Sequence, residues 1–348
     1  MTKVHQQSLL LGIFIGSAFV LILLMVILPS IEMNYPFEEA FSTTKNEFLS
    51  LKEHSSLTNE STINLNEKVR ILCMVFTHEK NFKEWAYMVK QTWGAKCTKL
   101  LFMSNVTDSN NLIDVTVLDL VESRDTLWKK TKLSFNYAYQ HHLYEFDWFL
   151  KADDDTYIIM ENLRHYLYPY PSDLPLIFGF QFNTHFVSGG AGYILSREAV
   201  KIFIEKAIYD TEKCSQIDGG AEDAEIGHCL YNVANVTFGD TRDEFGKERF
   251  FPVSLQWLVN DKPADLKFWY WSSAEYYHNE TGLECCSNTS IAFHYMKPVD
   301  MLTMEYLLYR FKVHEMEVKV KDLPVKFKKE DADVMFPRKN IGKKPKEK

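Results

Sequence analysis

Apolar and polar positions divide the chain into stretches of different periodicity. Residues 9–28, LLLGIFIGSAFVLILLMVIL, carry no charge, and at about 1.5 Å per residue roughly 20 such residues cross a hydrocarbon core of about 30 Å. The run exceeds a secretory h-region of about 7–15 residues, and Pro29-Ser30-Ile31-Glu32 offers no small-x-small cleavage site. It therefore predicts an uncleaved membrane anchor. From Ile31 to about Glu67, Glu, Asn, Ser and Thr prevail without apolar period, which predicts a solvated stem. Beyond it the pattern becomes that of a folded domain. Val69 to Thr77 (VRILCMVFT), Leu100 to Ser104 (LLFMS), Val115 to Leu120 (VTVLDL) and Asp147 to Ala152 (DWFLKA) are short apolar runs that predict buried strands. Lys83 to Trp93, with Trp85, Met88, Val89 and Trp93 on one stripe, and Leu127 to Glu145 predict helices. The resulting division is a tail over residues 1–8, an anchor over 9–28, a stem over 29–67, one domain over 68–320 and a polar tail over 321–348.

Charge and cysteine content refine this division. Of 348 residues, Lys and Arg supply 39 and Asp and Glu 47, a net of −8, and no basic stripe exists to attract a phosphate backbone, so nucleic acid is not an expected partner. Lys3 precedes the anchor while Glu32, Glu38 and Glu39 follow it, which places the short amino end in the cytosol and the rest on the luminal side. Five sequons, at Asn59, Asn105, Asn235, Asn279 and Asn288, suit that side. So does an even set of six cysteines. Short loops suggest Cys73 with Cys97 and Cys214 with Cys229, leaving adjacent Cys285 and Cys286 to bridge each other or find separate partners.

Four segments carry candidate chemistry. Asp153-Asp154-Asp155 follows a predicted strand; carboxylates at i and i+2 can point into one crevice, where hard oxygens suit Mg²⁺ or Mn²⁺ on a diphosphate. A solvated acidic turn has the same composition. His294, in Ile291-Ala292-Phe293-His294-Tyr295-Met296, is either a satisfied core histidine or a nitrogen donor that would favour Mn²⁺. Glu222, Asp223 and Glu225 open a predicted helix, where they complement its dipole or supply a general base. Ser188-Gly189-Gly190-Ala191-Gly192-Tyr193 requires positive φ or close backbone approach and predicts a substrate-facing loop. Alternating βα units with ligand groups at a strand's carboxyl end fit an α/β sheet.

Six segments, WFLKADDDTY (148–157), SGGAGYILSREAV (188–200), GAEDAEIGHCL (220–230), KFWYW (267–271), GLECCS (282–287) and AFHY (292–295), occur in an order that resembles the core 1 β1,3-galactosyltransferases. These belong to the larger β3-glycosyltransferase family that includes the fringe enzymes. The likeness runs from about Val69 to about Tyr309. It implies an α/β domain of GT-A fold, a Rossmann-like mixed sheet flanked by helices, in a type II Golgi membrane protein with one transmembrane helix. The implied reaction moves galactose from UDP-galactose to O3 of GalNAc on Ser or Thr of glycoprotein acceptors. Position by position, the resemblance implies Asp153, Asp155 and His294 as Mn²⁺ ligands and Asp223 as the base. It places Met74, Arg124, Lys130, Asp153, Asp154 and Tyr295 at the donor, and Gly190, Tyr193, Glu222 and Trp269 at the acceptor. It is also compatible with a homodimer.

The chemistry is coherent with that assignment. In an inverting transfer the acceptor oxygen attacks opposite the departing UDP, so the base and the leaving-group stabiliser lie on opposite sides of the sugar. The segment Gln181 to Val187 is shorter than the family pattern and Pro252 to Lys267 diverges from it, both bordering the acceptor side. A β1,3-transferase with another donor or acceptor, and a non-catalytic luminal chaperone, are the alternative readings; a related chaperone lacks the acidic triplet.

Overall fold

A computed structural model describes residues 62–182, 186–234, 236–260 and 281–313. The predicted anchor, most of the stem, Trp269, the sequons at Asn59, Asn235 and Asn279, and the carboxyl tail lie outside the described residues. Among the described residues no helix is long and apolar enough to cross a membrane.

The predicted strands form the centre. Strands β1 (Ile71–Phe76), β2 (Lys99–Ser104), β3 (Val115–Val117) and β4 (Trp148–Asp153) run parallel in the order β4-β1-β2-β3. Every residue of β1 is buried, as its unbroken apolar run requires in a sheet covered on both faces. Strand β5 (Tyr157–Ile158) leaves the sheet just after β4. Strand β6 (Leu176–Gly179) precedes a small hairpin of β7 (Gln181–Phe182) and β8 (Phe186–Val187). Strand β9 (Tyr193–Ser196) then lies antiparallel to both β4 and β6, and β10 (Thr237–Phe238) extends the edge parallel to β6. The seven-stranded sheet, ordered β10-β6-β9-β4-β1-β2-β3, is therefore mixed.

Helix α1 (Leu127–His142) buries Trp128, Thr131, Phe135, Ala138 and His142, the one-sided stripe its sequence predicts. Helices α2 (Met160–Leu167), α3 (Arg197–Glu205), α4 (Glu222–Ala234) and α5 (Pro298–Tyr309) complete the longer set. Two core clusters result, one containing Trp93, Trp148 and Phe178 and the other Trp128, Phe135 and Phe203. The predicted helix from Lys83 to Trp93 is broken instead: a π turn spans Phe82–Ala86, an α turn Tyr87–Gln91 and a 3₁₀ turn Trp93–Lys96. The α turn stops where Thr92 leaves the helical region, at φ −111° and ψ −115°; its amide and its hydroxyl both donate to the Met88 carbonyl, at 3.0 and 2.8 Å.

Disulfides join Cys73 to Cys97, Cys214 to Cys229 and Cys285 to Cys286, so the short-loop pairing holds and the adjacent cysteines bridge each other. Closing the 15-residue separation between Cys214 and Cys229 removes about 3 kcal/mol of unfolded-state entropy on the chain-entropy account. That bond ties the loop before α4 to the helix that carries Asp223.

A second sheet has three strands and includes β5. It pairs β11 (Phe250–Phe251) in parallel with β12 (Ala292–Phe293), and β12 antiparallel with β5.

Candidate metal and transfer site

The chain order reverses beside β1. From β1 the chain steps outward to β2 and β3, then returns through α1 to β4 on the other side of β1. A crevice outside the carboxyl ends of two such strands is where α/β sheets bind ligands. Phe76 at the end of β1 pairs with Asp153 at the end of β4, so the acidic triplet sits at this reversal.

The triplet then divides. Asp153 and Asp155 are partly exposed, with side-chain exposures of 33% and 25%. Asp154 is buried, accepting from the Thr77 hydroxyl at 2.7 Å and from Asn81 Nδ2 at 3.0 Å. Burial chiefly pushes its pKa up to about 7, against the lowering effect of those two donors.

The second sheet supplies the nitrogen. Phe293 faces Tyr157 in the antiparallel β12–β5 ladder, which brings the residue after Phe293 alongside the residues before Tyr157. His294 Nε2 consequently lies 3.2 Å from Asp155 Oδ1, and the Met296 amide donates to the Asp155 carbonyl at 2.8 Å. Ligand atoms of Asp153, Asp155 and His294 all fall within 4.8 Å of one another. Two carboxylates with one imidazole suit a borderline divalent ion such as Mn²⁺.

The glycine loop enters β9 at the same end of the sheet. A Cβ on Gly190 would overlap the His294 imidazole, so only glycine permits this approach. Gly192 adopts φ +76°, the left-handed region the loop was expected to need. The Gly190 carbonyl accepts from the Thr156 hydroxyl at 2.8 Å. One residue earlier, the Gly189 amide donates to Asp223 Oδ2 at 2.8 Å, and Asp223 Oδ1 accepts from the Ala224 amide at 2.9 Å. Adjacent loop residues thus touch a candidate metal ligand and the candidate base.

Other sequence-stipulated residues occupy varied positions. Lys130 is buried and donates to the Thr77 carbonyl at 2.7 Å and Glu122 Oε1 at 2.6 Å; burial lowers its pKa, with Glu122 opposing. Arg124 is exposed on a 3₁₀ turn at Arg124–Thr126. Tyr295 is half exposed at φ +54°, its ring stacked on His294 with centroids 3.8 Å apart. Met74 and Tyr193, expected at donor and acceptor, instead have no exposed surface. Met74 packs in the core at the middle of β1, and Tyr193 directs its hydroxyl to Glu222 Oε2 at 2.9 Å, so neither side chain offers a face to a sugar nucleotide or a sugar. Glu222 is likewise buried: its carboxylate receives Tyr193, Thr131 at 3.1 Å and Lys151 at 2.8 Å.

Lys151, which no sequence motif singles out, touches Asp153, Glu222 and Gly189. A signal was present. A lysine inside a strand whose neighbours Leu150 and Ala152 are apolar must meet counter-charge if the strand is covered on both faces. Burial by itself would depress the ammonium; Asp153 and Glu222 outweigh it and hold the group charged well above the usual lysine range.

The Fringe-like family profile matches residues 66–243. A Xenopus laevis protein, glycoprotein-N-acetylgalactosamine 3-beta-galactosyltransferase 1, is 41% identical over 269 residues, covering 76% of this chain and 72% of that one. Human chondroitin sulfate synthase 3 is 28% identical over 116 residues, 29% of this chain and 13% of its own. A mouse beta-1,3-glucosyltransferase is 25% identical over 171 residues, 47% and 34% respectively. The shared length and the identity to the Xenopus protein bring the sheet, the acidic triplet and the glycine loop under one heading: the chain belongs to the Fringe-like family of β3-glycosyltransferases.

Proposed function

We propose that this chain is an inverting, Mn²⁺-dependent galactosyltransferase of GT-A fold. It transfers galactose from UDP-galactose to O3 of GalNAc linked to Ser or Thr of glycoproteins, in the Golgi lumen and behind an amino-terminal anchor. The observation that carries this reading is the contact of consecutive loop residues with two functional halves, Gly190 against His294 and Gly189 on Asp223. The activity that the Xenopus relative is named for supports the sugar and the acceptor.

Asp153, Asp155 and His294 would hold the ion, which when bound neutralises charge developing on the departing diphosphate. Asp223 accepts the proton of the acceptor hydroxyl. Its Oδ2 is aligned by the Gly189 amide and its Oδ1 by the Ala224 amide, so the carboxylate cannot rotate freely. Positioning of this kind, with a base in hydrogen-bond reach, contributes about 10²–10⁴-fold to rate. Tyr295, exposed and stacked on His294, offers an aromatic face beside the donor phosphates.

The test is product analysis of the luminal part with UDP-galactose, Mn²⁺ and a GalNAc-Thr peptide. A β1,3-linked galactosyl product is expected. Preference for any other donor sugar overturns the assignment of substrate, and wild-type function in both Asp155→Ala and Asp223→Asn overturns the assignment as an enzyme.

A further inference from the structure

Two opposite charges lie buried beneath the site, and the proton transfer above uses neither. Lys151 is inside β4 and Glu222 begins α4; both are almost wholly removed from solvent. A lone ammonium in that position costs several kcal/mol, so its partners decide whether it is tolerated. Lysine has three N–H donors. Three acceptors surround Nζ: Glu222 Oε1 at 2.8 Å, Asp153 Oδ1 at 2.9 Å and the Gly189 carbonyl at 3.2 Å. Glu222 is saturated in turn, because Oε2 receives the Tyr193 and Thr131 hydroxyls. The rings of Phe76 and Tyr193 flank the ammonium at 5.0 and 5.8 Å.

Each acceptor belongs to a different part of the transfer machinery. Asp153 is one of the three grouped side chains that could hold a metal ion. Gly189 donates its amide to Asp223, and Glu222 precedes Asp223 in the first turn of α4. Resting on the reading of the site given above, we propose that Lys151 is a positioning residue. Its ammonium grips Asp153, Gly189 and Glu222 together, and so sets the separation between the metal-binding carboxylates and the base. Strand β4 is locked on both sides by β1 and β9, whereas the Gly189–Gly190 segment has no side chains to hold it. Lys151 transfers the strand's rigidity to that loop. The spacing matters because a misplacement of about 1 Å costs about 100-fold in rate.

The competing role for Lys151 is simple neutralisation of Glu222, and a paired substitution separates the two. Lys151→Met with Glu222→Gln removes both charges at once and leaves a glutamine oxygen for Thr131 and Tyr193, so no unpaired charge is buried. With positioning, this double variant melts near the wild type, but kcat falls about 100-fold while KM for UDP-galactose is little changed. The Gly189 amide then exchanges its hydrogen about tenfold faster, the loss expected from one hydrogen bond. With neutralisation alone, kcat and exchange both match the wild type, and the proposal is overturned. Should the double variant not fold, Lys151→Arg keeps the charge and moves the donors; lowered kcat with faster Gly189 exchange supports positioning, and wild-type values of both overturn it. Exchange at Gly189 needs neither donor nor acceptor. Absence of galactosyl transfer by the wild type would therefore refute the proposed reaction while leaving this test standing.

Discussion

Asp153 and Asp155 are partly exposed beside an imidazole, whereas Asp154 and Glu222, carboxylates too, are buried under hydroxyl, amide and ammonium donors. The difference separates candidate ligand from support. A carboxylate whose lone pairs are all committed inside the protein holds elements together, and one that keeps a face to the crevice can bind an ion. Sequence adjacency does not make this distinction. The backbone turn after β4 sends successive side chains in different directions, and whichever one meets Thr77 and Asn81 becomes structural.

Substitution tests the two classes differently. The largest effect belongs to Asp223→Asn, which keeps the shape and removes the base: kcat for galactosyl transfer to a GalNAc-Thr peptide is expected to fall by up to about 10⁴-fold, with the melting curve little altered. Initial rates beside a thermal melt check both halves. Next, Asp155→Ala takes a ligand from the exposed class. Transfer should drop about 10²–10³-fold, and Mn²⁺ binding, measured by titration calorimetry, should weaken. Unchanged Mn²⁺ affinity would move the ion away from this triad.

The buried class should respond in stability instead. Glu222→Ala strands part of the Lys151 charge and the Thr131 and Tyr193 hydroxyls, at a cost of about 3 kcal/mol, read from urea unfolding. A loss of activity with no loss of stability would return Glu222 to the ligand-facing class. The other buried carboxylate predicts a pH dependence, at Asp154. Its folded pKa is about 7, above about 3.9 for an unfolded aspartate. The folded state thus retains a proton that the unfolded state has lost. Metal-free stability should therefore be complete below about pH 4 and decline as pH rises toward 7, by at most about 1.4 kcal/mol per pH unit. Asp154→Asn cannot ionise and should flatten that decline; melts in chelator across this range compare the two. An identical slope in both proteins would assign the decline elsewhere.

Much of the fold is legible because long one-sided or unbroken apolar patterns report burial directly. VRILCMVFT contains β1, LLFMS nearly all of β2, DWFLKA most of β4, and the stripe from Leu127 contains α1. Two-residue strands such as β5, β11 and β12 have no period to read. Lys83 to Trp93 carries an apolar stripe, but periodicity does not register the non-helical backbone of Thr92 at which the helix ends. The same limit applies to Tyr193. An aromatic residue after a glycine loop suits a sugar face or a core equally, and the pairing of β9 with β4 and β6 puts it in the core.

The residues alone specified which groups could do chemistry: three consecutive acids at a strand end, an acidic helix start, a glycine loop, a histidine in an apolar run, and cysteines close enough to pair. Those are local properties, set by side-chain type and near-neighbour period. Which acids keep a face to the crevice and which are buried, and that His294 meets Asp155, depended on the antiparallel β12–β5 ladder and on the reversal of chain order beside β1. A ladder between segments far apart in sequence leaves no mark in either segment alone, because each supplies only half of the contact. The packed sheet joins the halves, and Lys151 is where the join becomes visible as three acceptors around one ammonium.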